Sequence, residues 1–193
     1  MTAPEPGACV VLLAAGRSER FGGDKLTADL RGRPLWEWAA RAAEEAGFSN
    51  RFVVVGPDYR LAERQGWTPV VNRRAHEGMG TSIAAGVLAA SGCQRVVIML
   101  ADMPFVEPAH LLRLAQGETA MFTRYDDGRH GCPAAFPRSA FAALATLEGD
   151  QGARRLTSLS RDAGSLRPGH QAMLVDLDTR EDFARLDTRH PPA

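Results

Sequence analysis

Cys9–Leu26 reads CVVLLAAGRSERFGGDKL. The apolar run Val10–Leu13 has the length and content of a buried strand, and it breaks at once into small residues and glycine. Arg17, Arg20 and Lys25 punctuate the loop, and Gly22-Gly23 stand just before the lysine. A buried strand ending in a glycine-rich basic loop brings backbone N–H groups and cations to a phosphate. Three cations and three glycines in one loop serve no packing purpose. The loop is not a Walker A loop: Gly16 to Gly22 is one residue too long, and Leu26 rather than Ser or Thr follows Lys25. Nor is it a dinucleotide fingerprint, because GxGxxG is absent and Asp58 lies too far along the chain to be the ribose carboxylate.

Working outward, strands and helices alternate. Pro34 opens an amphipathic helix to about Ala46, with Gly47 as its stop. Arg51–Gly56 and Pro69–Asn72 read as strands, with a short helical pattern between them at Leu61–Gln65. Thr81 or Ser82 caps a helix through Ala90. Arg95–Asp102 is the most apolar strand and is expected at the centre. Pro108–Leu114 is helical, and Ala120–Tyr125 and Pro133–Phe136 are strands around a polar turn at Asp126–Gly131. Helices near Ser139–Leu147 and Gly152–Ser160, a last strand Met173–Leu177 and a last helix Arg180–Leu186 complete the reading. Such alternation predicts an α/β fold with a mostly parallel sheet covered on both faces.

Bulk properties narrow the function. The 193 residues suit one domain, and 23 basic residues balance 23 acidic ones. A zero net charge argues against a general nucleic-acid binder. Cys9, Cys93 and Cys132 are widely spaced and odd in number, as in a reducing compartment. There is no membrane-spanning stretch, and the first residues lack the basic and apolar parts of a signal peptide, so a cytoplasmic protein is expected. Trp36 and Trp38, two apart on a helix, cannot both face the core. His76, His110 and His190 have no ligand spacing, and Arg73-Arg74 is too short for a nucleic-acid patch.

Ligands of parallel α/β sheets bind at the carboxyl ends of the strands. Here those ends are Ala14-Ala15-Gly16, Gly56-Pro57-Asp58, Asn72, Ala101-Asp102 and Asp176-Leu177-Asp178. Asp102, delivered by the central strand, suits a Mg²⁺ ion shared with phosphate oxygens, since that ion needs only one or two protein carboxylates. The last strand end carries two further carboxylates, Asp176 and Asp178; Asp178 could also cap the last helix, a role for which Thr179 competes.

LAAGRSERFGGDKL resembles the LAxGxSxRMG/FGxxK signature of the molybdopterin-dinucleotide nucleotidyltransferases. Asn72 with Gly78-Met79 and Ser82-Ile83, LADMP at Leu100–Pro104, Gly149-Asp150 with Gly152-Ala153-Arg154, and VDLDTRED at Val175–Asp182 resemble further segments of that family, in order. Ala15 makes the cytidylyltransferase branch the closer match. The resemblance implies a three-layer Rossmann-like nucleotidyltransferase fold of the nucleotide-diphospho-sugar transferase type. It implies Mg²⁺-dependent transfer of CMP from CTP to the phosphate of a molybdopterin acceptor, with release of pyrophosphate, and a molybdoenzyme or its chaperone as a further partner. Leu13, Ala14, Ala15, Gly16, Arg17, Gly22, Gly23, Lys25, Asn72, Gly78, Ser82 and Asp102 would line the nucleotide site. Lys25, Arg20 and Asp102 would be catalytic, Asp102 and Asp178 would hold the metal, and Asp150 and Arg154 would meet the acceptor. A phosphate acceptor is already anionic, so no general base is expected; charge neutralisation carries the chemistry. His130-Gly131-Cys132-Pro133 departs from the family, with cysteine where histidine is usual, which leaves the acceptor contact there open. Transfer of GMP, transfer to a sugar or alcohol phosphate, and a non-catalytic nucleotide-binding module are the alternatives.

Overall fold

The computed structural model describes residues 3–16, 18, 21–149 and 162–187. Among these, seven strands form one sheet in the order β3-β2-β1-β4-β6-β5-β7. β1 (Ala8–Ala14) is flanked in parallel by β2 (Asn50–Val55) and β4 (Arg95–Leu100), and β3 (Thr68–Val71) continues the sheet beyond β2. β6 (His130–Pro137) runs antiparallel to β4 and to β5 (Met121–Arg124), and β7 (Gly164–Leu166) lies parallel to β5. One strand is therefore reversed in an otherwise parallel sheet, as expected.

All seven residues of β1 are buried, because a central parallel strand is covered on both faces. Its alternation divides the core in two. Val10, Leu12 and Ala14 pack on the side of α1 (Leu35–Glu45) and α2 (Pro108–Leu114). Cys9, Val11 and Leu13 pack on the side of α3 (Met79–Ala89) and α4 (Phe141–Leu144). The layers are thus helix, sheet, helix. Trp36 is fully buried in the first cluster, and Trp38 is half-buried with its Nε1 donating to the Leu30 carbonyl at 3.0 Å. Gly86 lets α3 lie close on the sheet: a Cβ there would stand 2.4 Å from Val11 Cγ1 and 3.0 Å from Val54 Cγ2.

Three expectations are corrected. Leu61–Gln65 is not helical; Leu61 joins Trp36, Val53 and Trp67 around a cavity of about 470 Å³, and tertiary packing overrides the local pattern. Met173–Leu177 is not a strand. Gln171–Leu174 form a 3₁₀ turn, and the chain then crosses the sheet edge with the Leu177 N–H donating to the Asp102 carbonyl at 3.1 Å. The seventh strand is instead β7, three residues long and too short to show a period. The helix expected at Ser139–Leu147 is shorter, a 3₁₀ turn at Arg138–Ala140 leading into α4. The helix expected at Gly152–Ser160 lies outside the described residues. The last helix, α5 (Arg180–Asp187), is present.

Candidate functional site

The site lies along the carboxyl ends of the parallel strands. The Ala101 N–H donates to the Leu13 carbonyl at 3.0 Å, which ties the exit of β4 to that of β1 and places Asp102 beside the glycine-rich loop. Lys25 begins a 3₁₀ turn, Lys25–Thr27, immediately after that loop. Its Nζ donates to Asp102 Oδ2 at 2.9 Å and to Asp178 Oδ1 at 2.8 Å. Burial alone would lower the Lys25 ammonium, but the two carboxylates outweigh it and hold it above the usual lysine range.

Asp178 reaches this position because another pair caps α5. Asp182 Oδ2 accepts from the Thr179 N–H at 2.8 Å, and the Asp182 N–H donates to Thr179 Oγ1 at 3.2 Å, a reciprocal capping box. Thr179 is therefore the cap, and the Asp178 carboxylate faces Lys25. α5 also fixes the loop: the Arg180 Nε donates to the Phe21 carbonyl at 3.3 Å, and the Phe21 and Phe183 rings lie 5.1 Å apart. Within the loop, Gly22 has φ of 71°, which only glycine adopts without strain.

On one side of this cluster opens a cleft of about 590 Å³. Ala14, Ala15, Gly16, Gly22 and Gly23, five of the residues expected at the nucleotide, line it. Its opposite wall is Gly56–Leu61 with Arg73 and His76. Of that wall only the strand end Gly56-Pro57-Asp58 carries a sequence signal; Tyr59, Arg60, Arg73 and His76 are set there by the approach of the β2 and β3 exits and have no motif of their own. Leu13 is buried in the sheet beneath. Asn72 and Ser82 are brought together, but in the fold's interior: Asn72 Nδ2 donates to Ser82 Oγ at 3.0 Å and to Thr81 Oγ1 at 2.9 Å. Those bonds brace the entry to α3, where Gly78 takes φ of 124°. Arg17, Arg20, Asp150 and Arg154 lie outside the described residues.

On the other side is a cavity of about 650 Å³ lined by Met79, Met103, Tyr125, Cys132 and Asp176 among others. The Tyr125 hydroxyl donates to the Cys132 carbonyl at 2.9 Å. Burial, and then the nearby Asp102 charge, push the Cys132 thiol up to about 12, so it is a neutral wall residue rather than a nucleophile. The Asp176 carboxyl is raised by partial withdrawal from water and then by the charges of Asp178 and Asp102.

The donor set fits a divalent cation held jointly with phosphates. Asp102 Oδ1 is buried and has no hydrogen-bond partner, an oxygen that a cation would satisfy. Among the described residues no three His, Cys, Asp or Glu side chains form a metal cage; Asp102 and Asp178, both bonded to Lys25, are the carboxylates that would hold such an ion. That ligand count suits Mg²⁺ on a nucleotide. No helix among the described residues is long and apolar enough to cross a membrane.

The chain is similar to known proteins in sequence and in fold. The purine catabolism protein PucB of Bacillus subtilis is 31% identical over 90% of this chain and 92% of its own length. A probable molybdenum cofactor guanylyltransferase of Opitutus terrae is 30% identical over 68% of this chain and 67% of its own. The crystal structure of Rv0371c from Mycobacterium tuberculosis superposes with a TM-score of 0.77 at 29% identity, covering 96% of this chain and 98% of that one. The same protein has been solved in complex with manganese, which superposes with a TM-score of 0.70 at 27% identity over the same shares. Residues 10–165 match the family model described as the MobA-like NTP transferase domain, and the chain belongs to that family of nucleotidyltransferases.

Proposed function

We propose that this protein transfers a nucleotidyl group from an NTP to the terminal phosphate of a molybdopterin-type acceptor, using Mg²⁺. The observation that carries the reading is the Lys25–Asp102–Asp178 cluster standing between two cavities, one against the glycine-rich loop and one against Tyr125 and Cys132. In the reaction an acceptor phosphate oxygen forms a bond to the α-phosphorus, the bond from that phosphorus to the bridging oxygen breaks, and pyrophosphate leaves.

The glycine-rich loop binds the triphosphate, with Lys25 as its principal cation and Arg20 and Arg17 beside it. Asp102 and Asp178 would hold the metal, which supplies positive charge to the reacting α-phosphate and the departing pyrophosphate. Gly56–Leu61 faces the base, and the Tyr125–Cys132 cavity takes the acceptor, approaching from the side opposite the leaving group. Asp150 and Arg154 are further acceptor contacts. No side chain needs to remove a proton from an acceptor that is already ionised.

GTP is the favoured donor, because a relative is named a guanylyltransferase. CTP is the second reading, and Ala15 is the residue that favours it. Pyrophosphate release with each of the four NTPs, with and without EDTA and molybdopterin, tests both. EDTA-sensitive release with one purine or pyrimidine triphosphate is expected. Absence of release with every NTP in the presence of molybdopterin would defeat the reading.

A further inference from the structure

Among the described residues, the cation that joins the two carboxylates is Lys25. Its Nζ lies 2.9 Å from Asp102 Oδ2 and 2.8 Å from Asp178 Oδ1, and the residue is only 6% exposed. A Mg²⁺ bridging the same two oxygens would be held at about 2.0–2.1 Å from each. The ammonium occupies that ground, and the two cations cannot share it. At the same time Asp102 Oδ1 is buried without a partner, so the lysine leaves Asp102 incompletely satisfied. A divalent ion, with more charge and more coordination positions, could satisfy oxygens that one ammonium does not.

We infer that Lys25 is a displaceable internal counter-ion, which holds Asp102 and Asp178 together in the nucleotide-free protein and moves to the triphosphate as the metal arrives with the nucleotide. The inference rests on the function proposed above. Lysine is suited to the exchange, being a point charge on a flexible four-carbon stem rather than a rigid fork. Its neighbours in sequence, Gly23, Asp24 and Leu26, line the nucleotide cleft, so a phosphate bound there would stand near the base of the Lys25 side chain. Before exchange, the ammonium compensates the carboxylates and keeps free metal out. During it, the triphosphate supplies the negative charge that the ammonium gives up in leaving them. Free metal therefore binds weakly, and metal and nucleotide enter together.

The distinguishing consequence has an unusual sign: removing Lys25 cuts turnover yet tightens metal binding. The test titrates Mn²⁺ into nucleotide-free protein and reads free Mn²⁺ by electron paramagnetic resonance. Wild type, Lys25→Met, Lys25→Gln and the Lys25→Met/Asp102→Asn double variant are compared. Removing a competing unit charge at contact distance is expected to tighten Mn²⁺ binding roughly tenfold in both single variants, and the double variant should lose that gain. Lys25→Gln keeps an uncharged N–H donor at this position and decides the matter if Lys25→Met does not fold. Unchanged or weaker Mn²⁺ binding in the folded single variants overturns the inference, as does a gain that survives Asp102→Asn. Because the titration contains neither nucleotide nor acceptor, its outcome is separate from that of the pyrophosphate assay.

Discussion

Lys25 Nζ donates to Asp178 Oδ1 at 2.8 Å across 153 positions of sequence. The bond joins the glycine-rich loop at one end of the chain to the segment that crosses the sheet edge near the other. If Lys25 neutralises the triphosphate, Lys25→Ala should lower kcat/KM by roughly two to three decades, the scale of losing one preorganised transition-state donor. Steady-state pyrophosphate release at saturating Mg²⁺ measures this. A Lys25→Ala enzyme of near-normal rate would remove the lysine from the mechanism.

Asp176 and Asp178 are two residues apart, but the structure treats them differently. Asp178 bonds to Lys25, whereas Asp176 lines the cavity beside Tyr125 and Cys132. Asp178→Asn should therefore reduce kcat roughly a hundredfold and weaken the dependence on Mg²⁺, while Asp176→Asn should change acceptor KM with little effect on the metal response. Mg²⁺ titrations of both variants separate the two roles, and equal losses of Mg²⁺ response would assign the metal to both.

The two cavities predict a split in KM. Tyr59 stands on the cleft against the glycine-rich loop, and Tyr125 on the cavity beyond Asp102. Tyr59→Ala is expected to raise the KM for NTP and spare that for the acceptor; Tyr125→Ala is expected to do the reverse. Two-substrate kinetics read the pattern directly. If both variants raise the same KM, the division into nucleotide and acceptor sides is wrong.

The sequence signals that succeeded are those tied to backbone period and burial. The apolar run around Val10–Leu13 does form the buried strand β1, and the helix Pro108–Leu114 appears with the expected ends. Asp102 was legible because an apolar strand must end somewhere, and a carboxylate just past that end marks the binding edge. Tyr59, Arg73 and His76 were not legible, because they reach the cleft only through the meeting of two strand exits. Asn72 and Ser82 carry a motif, yet their hydrogen bonds turn inward to brace α3. Met173–Leu177 has strand composition, but its place over the sheet edge leaves it no ladder to join. There the Leu177 N–H finds the Asp102 carbonyl instead, and that single bond helps carry Asp178 to the site.

Gly86 lies where α3 packs tightly on Val11 and Val54 of the sheet. Alanine is the better helix former by about 1 kcal/mol, so a surface glycine in a helix would gain from the change. At this position the added methyl would lie 2.4 Å from Val11 Cγ1, a distance that neighbouring atoms must move to relieve. Overpacking of that kind costs about 1–3 kcal/mol and should exceed the propensity gain. Gly86→Ala is expected to lower Tm, by roughly 2–4 °C for each kcal/mol of net loss. A calorimetric Tm equal to or above wild type would show that α3 can withdraw from the sheet without penalty.

His110 gives the fold an acid-sensitive point away from the site. The residue is 1% exposed, and its Nε2 lies 2.8 Å from Thr123 Oγ1. Thr123 donates its own hydroxyl proton to the Pro133 carbonyl at 2.6 Å, so its oxygen accepts from His110 and the ring carries its proton on Nε2. Nδ1 is buried without a partner, and a second proton there would be an unpaired charge in the core. Burial, followed by the Arg113 charge, lowers the His110 pKa from 6.5 to about 4. In the unfolded chain the imidazole takes up a proton as pH falls through its ordinary value, while the native state does not. The unfolded state then binds more protons, so stability declines from pH 6.5 down to about 4 and the His110 contribution levels off below that. The shift corresponds to at most about 3 kcal/mol. Urea denaturation at pH 7, 6 and 5 should show wild type losing stability across this range, and His110→Gln, which has no titrating group, losing distinctly less. Parallel pH profiles for the two proteins would show that His110 is protonated in the native core as readily as in the unfolded chain.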